Sequence, residues 1–143
     1  MRPYHLLIPS DRLAISDKNT KLTYNEFITE IHKINAWYKQ NGYHAGHRIS
    51  VVGINSVHTY LYLFAAALDM CATTLTFDGT EDEWRFRLDS NNSNAIVHVN
   101  MDGTVKLEHL HYEKSTVLDK EIMLYYSSGT SHPYGWTKSY PVP

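Results

Sequence analysis

Short β-branched runs alternate with longer helix-patterned segments through the middle of this chain, and that alternation leaves few folds open. Ile49-Ser50-Val51-Val52-Gly53-Ile54 reads as a buried strand. Asn55-Ser56 is placed to cap a helix expected over residues 57–70, apolar on nearly every face and so destined to lie between a sheet and another layer. Residues 72–77 are β-rich, and Asp78-Gly79 turns the chain. Thr80-Glu81-Asp82-Glu83 has the spacing of a capping box, opening a helix with Trp84, Phe86 and Leu88 inward. Residues 91–94 end that helix, and Ala95-Ile96-Val97-His98-Val99 is the next strand. Strand–helix–strand units of these lengths imply an α/β fold: a mainly parallel sheet with right-handed crossovers and flanking helices.

The flanks add detail. Leu13-Ala14-Ile15 and Lys21-Leu22 enclose the polar turn Asp17-Lys18-Asn19, a hairpin signature. Thr23 with Glu26 forms a capping box, and Phe27, Ile28, Ile31, Ile34 and Tyr38 recur at helical spacing until Asn41-Gly42 stops them. Asp102-Gly103 predicts a tight turn into a strand over 104–107, residues 108–120 carry no pattern, and 122–126 is a last apolar strand. Residues 136–140 fit a returning strand. A chain of 143 residues suits one domain, 1–143, and can bury enough surface to fold without disulfide or metal.

Several function classes drop out. With 13 basic and 15 acidic residues spread along the chain, there is no basic stripe for nucleic acid. A lone Cys71 excludes an internal disulfide framework; placed at the end of a buried helix, it is expected to be inert. The apolar stretch within 1–9 is too short for a signal-peptide core, and the run 60–70 is about half a bilayer span, so no membrane span and a cytoplasmic location are expected. Nine histidines invite a metal, but around His109, His111, Glu108 and Glu113 no third ligand has zinc-like spacing, so no metal site is assigned. His44 and His47 are expected at the surface, Trp37, Trp84 and Trp136 as packing anchors, and Arg85 and Arg87 with Glu81 and Glu83 on a solvated helix face.

One stretch has chemical content. In Ser127-Ser128-Gly129-Thr130-Ser131, four hydroxyls and a glycine follow a buried strand, so backbone N–H groups can approach an anion while hydroxyls donate to its oxygens. The same composition describes a serine-rich surface turn, and on composition alone both readings stand.

The segment Leu124-Tyr125-Tyr126-Ser127-Ser128-Gly129-Thr130-Ser131 resembles the start of the phosphate-binding signature of adenylate-forming enzymes. This superfamily comprises acyl-CoA and aryl-CoA synthetases, peptide-synthetase adenylation domains and luciferases, and its usual motif is Tyr-Thr-Ser-Gly-Thr-Thr-Gly-x-Pro-Lys-Gly. Other patches are similar in the same order: Leu22-Thr23-Tyr24-Asn25-Glu26-Phe27, then Gly46, Arg48 and Val51-Val52, then Asn55-Ser56 with its apolar helix, then Thr74-Leu75-Thr76-Phe77-Asp78 and Arg87-Leu88-Asp89-Ser90. The resemblance covers roughly residues 10–140 and implies the first subdomain of such an enzyme. It implies ATP or AMP as ligand, Mg2+ accompanying ATP, hydroxyl donors from Ser127, Ser128, Thr130 and Ser131, and backbone access at Gly129.

Two departures qualify what is implied. The loop is one residue short, and His132-Pro133-Tyr134-Gly135 places Tyr134 where the family has its loop lysine; a phenol brings no positive charge to phosphates near neutral pH. Lys138 reaches back only if its strand bends, and His132 is read as a turn residue rather than a replacement cation. The family's acyl pocket, adenine motif, ribose-binding aspartate and catalytic lysine all follow this loop, whereas the sequence ends at Pro143. The expectation is the N-terminal part of an AMP-forming acyl- or aryl-acid ligase, inactive alone, with no catalytic residue assigned. Its partners are expected to be a complementing chain or copies of itself. The rivals are a catalytically silent module reused for assembly and, behind it, a nucleotide- or CoA-binding regulator.

Overall fold

The computed structural model describes residues 7–75, 82, 93–110, 121–126 and 137–141, with Leu75 and the last two stretches described by backbone alone. The chain opens with an antiparallel hairpin, β1 (Leu13–Ser16) and β2 (Lys21–Thr23). Its turn is set by Asp17, whose Oδ1 accepts from the amides of Asn19 and Thr20, each at 2.8 Å. Helix α1 (Tyr24–Gln40) then starts on the expected capping box: Thr23 Oγ1 accepts from Glu26 N at 3.2 Å, and Glu26 Oε1 accepts from Thr23 N at 3.0 Å. Its stripe is buried at Phe27, Ile31, Ile34 and Tyr38, with Ile28 half-buried. Asn41 caps the end, and Gly42 follows at φ +92°, a backbone that costs other residues strain.

Six strands form the main sheet in the order β6-β5-β3-β4-β7-β8. They are β3 (Arg48–Val52), β4 (Cys71–Leu75), β5 (Ala95–Val99), β6 (Val105–His109), β7 (Glu121–Tyr126) and β8 (Thr137–Pro141). β5, β3, β4 and β7 run parallel, and β6 and β8 close the edges antiparallel. All five residues of β3 are buried, as a central parallel strand requires.

Helix α2 (Val57–Ala67) lies between the sheet and α1, which explains its nearly uniform apolarity. One core joins Val57, Leu61, Leu63 and Ala65 to Ile49, Val51, Ala72, Ala95, Val97 and Val99 beneath, and to Phe27, Ile31 and Ile34 above. Each such large aliphatic or aromatic side chain contributes about 1.5–3 kcal/mol when fully buried. Polar pins fix the two helices: Tyr38 Oη donates to Tyr62 O at 2.9 Å, and the buried Asn35 Nδ2 donates to Ala65 O and Asp69 Oδ1, each at 3.0 Å. Tyr60 and Phe64 face outward and are a little over one-third exposed.

Several strand and helix ends differ from expectation, most by one or two residues, and those of α2, β4 and β6 have a visible physical reason. α2 ends at Ala67 rather than 70, although Met70 N still donates to Ala66 O at 2.9 Å. Past it, Asp69 is held by Lys39 at 2.8 Å as well as by Asn35. Cys71 is therefore not a helix end: its amide donates to His47 O at 3.0 Å and makes it the first residue of β4, fully buried. Glu108 and His109, left without a pattern in the sequence, belong to β6, where Glu108 Oε1 meets His98 Nε2 of β5 at 3.1 Å. The expected helix after residue 80 lies outside the described residues apart from Asp82, as do Trp84, Arg85, Arg87 and Trp136.

Candidate functional site

In open α/β sheets ligands gather at the carboxyl ends of the parallel strands. β7 runs to that rim, and its last residue Tyr126 is paired with Thr137 of β8. Tyr126 and Thr137, which precede and follow residues 127–136 in the sequence, thus form one rung of the sheet, on the strand next to β4. Ser127, Ser128, Gly129, Thr130, Ser131, His132 and Tyr134 lie outside the described residues; what is described is the frame that delivers them. Lys138 lies opposite Tyr125 in β8, where the register is regular; the irregularity falls at the far end, between Glu121 and Met123. The backbone bend that Lys138 needs in order to reach back is absent at its position.

The neighbouring part of the rim is occupied by the chain's own groups. A helix N-terminus attracts anions, but at α2 that place is taken. Ser56 Oγ accepts from Thr59 N at 3.3 Å, and Asp17 Oδ2, reaching across from the β1–β2 turn, accepts from Val57 N at 2.8 Å. The bond from Val57 N, then that from Asn19 N, holds the Asp17 carboxyl below its ordinary range, against a smaller opposing effect of desolvation. Gly53, where β3 hands over to α2, is packed shut: a Cβ there would clash with Thr59 Oγ1.

On the other flank, the His58 imidazole lies against Gly103, whose φ is +87° and whose Cβ would meet the ring at 2.9 Å. Asp102 Oδ1 accepts from Thr104 Oγ1 at 2.6 Å and from Thr104 N at 2.9 Å, the hydroxyl bond first among the causes that lower its carboxyl. Among the described residues these carboxylates are committed to turns.

The histidines take other roles. His109 Nδ1 pairs with Tyr43 Oη, whose phenol burial pushes above its ordinary value. His44 is exposed, as expected, while His47 is only half-exposed and its Nδ1 accepts from His44 N at 3.0 Å. His111 and Glu113 lie outside the described residues, among which no group of three or more His, Cys, Asp or Glu could hold a metal.

The residue that sequence reasoning missed is Asn94, at the opposite rim. Its Oδ1 accepts from Arg48 N, its N donates to Arg48 O, both at 2.8 Å, and its O accepts from Leu110 N at 3.0 Å. The available signal was an asparagine immediately before a strand, which also reads as a helix stop. No helix among the described residues is long and apolar enough to cross a membrane.

No protein-family model and no curated protein matches the chain. Solved structures do match. O-succinylbenzoate coenzyme A synthetase (MenE) from Bacillus subtilis in complex with AMP is 16% identical at TM-score 0.68, over 90% of this chain and 38% of that one; MenE is also solved with ATP and a magnesium ion. VinN in complex with L-aspartate is 16% identical at TM-score 0.70, over 90% of this chain and 43% of that one. The Klebsiella oxytoca NpsA N-terminal subdomain is 13% identical at TM-score 0.69, over 90% of this chain and 38% of that one. The fold is that of the N-terminal subdomain of adenylate-forming enzymes, and the chain spans about two-fifths of the length of the structures it matches.

Proposed function

We propose that this chain is the phosphate-loop portion of an AMP-forming acyl- or aryl-acid ligase. The observation that carries the reading is the pairing of Tyr126 with Thr137 at the carboxyl end of parallel β7, on either side of the hydroxyl-rich sequence, in a fold shared with MenE, which is solved in complex with AMP. In such a reaction ATP supplies the adenylyl group that activates a carboxylate. Ser127, Ser128, Thr130 and Ser131 donate to phosphate oxygens, Gly129 opens backbone access, and Mg2+ accompanies ATP. The chain works in the cytoplasm, with a complementing chain or further copies of itself as partners.

Charge is what this loop lacks. Phosphoryl and adenylyl transfer depend on fixed positive charge as the transition state forms. Tyr134 offers none, and Lys138 is held in the β8 ladder. The isolated chain is therefore silent in carboxylate-dependent pyrophosphate–ATP exchange, and its nucleotide affinity is high-micromolar or weaker, about 4–6 kcal/mol. The same absence of charge favours the second reading, a catalytically silent module kept for assembly. Calorimetry with Mg-ATP separates the two. Weak heat that Thr130→Ala removes supports the ligase reading, whereas no heat, or heat unchanged in Thr130→Ala, supports the silent module. Exchange above blank with any fatty or aryl acid would overturn the inactivity of the lone chain.

A further inference from the structure

We draw no further inference here: the strongest candidate, an open groove of about 370 Å³ between β2, α1 and α2 lined by Leu22, Glu26, Glu30, His58 and Leu61, carries nothing because Glu26 is committed to the α1 cap, Glu30 to Lys33, and nothing in the structure shows what occupies it.

Discussion

The two rims of the parallel sheet are built on different plans. At the amino rim the bonds are long-range and mostly buried: Asn94 joins the starts of β3 and β5 to the end of β6, and His47 O receives the first amide of β4. At the carboxyl rim most bonds are local and nearer the surface: Asp17 with Asn19 and Thr20, Ser56 with Thr59, Asp102 with Thr104. Of these carboxyl-rim groups, Asp17 also reaches far, to Val57 N. Buried bonds that lose a partner strand a polar group away from water, while surface caps that lose one expose a group that water can serve. The amino rim thus holds the sheet together, and the carboxyl rim is free to vary in chemistry.

Four substitutions test that division. Asn94→Ala is expected to cost most, about 2 kcal/mol, because the Arg48 amide loses its acceptor inside the protein. Urea unfolding with an unchanged slope measures it, and a loss no larger than that of a carboxyl-rim cap would break the comparison. Ser56→Ala is expected to cost about 1 kcal/mol or less, the ordinary value of a helix N-cap with a long bond.

Asp17→Asn sharpens the contrast through pH. The folded Asp17 carboxyl lies below its unfolded value, so its stabilisation is complete above the usual carboxylate range and disappears as pH falls through the folded value. The urea midpoints of wild type and variant should differ at pH 7 and begin to draw together only as the pH falls below about 4, towards the folded value; a gap that stays constant through that fall would show that charge is not the cause. Thr130→Ala is expected to move stability least, by under about 0.5 kcal/mol, while removing any heat of ATP binding. A large destabilisation would instead make the loop part of the scaffold.

Local chemistry was legible in the sequence. The Thr23 and Glu26 box, the Phe27 to Tyr38 stripe and the β1–β2 and β5–β6 turns all depend on neighbours a few residues apart, and each stands where spacing placed it. Features set by distant contacts were not legible. Asn35 looks like a polar interruption of a stripe, yet it is buried because Ala65 O and Asp69 stand opposite. Cys71 looks like a continuation of α2, but His47 O draws its amide into the sheet. Asn94 reads only as a helix stop before a strand, since the partners that give it its role lie 46 residues upstream and just past β6. For the candidate site, the strand before residues 127–131 and the returning strand after them were legible, and the β7–β8 pairing bears both strands out. The carboxylate at the α2 N-terminus was not, because Asp17 and Val57 are linked only by tertiary packing.

The strand order also sets a timetable for synthesis. Once β3 and β4 have emerged, β5 and its hairpin partner β6 cover one flank of β3, but the outer edge of β4 pairs only with β7. Translation must pass through residues 76–120 before that partner exists, roughly 2–9 s at ordinary elongation speeds. For that interval the nascent sheet carries a bare ladder of amides and carbonyls on β4, the kind of edge that recruits stray strands.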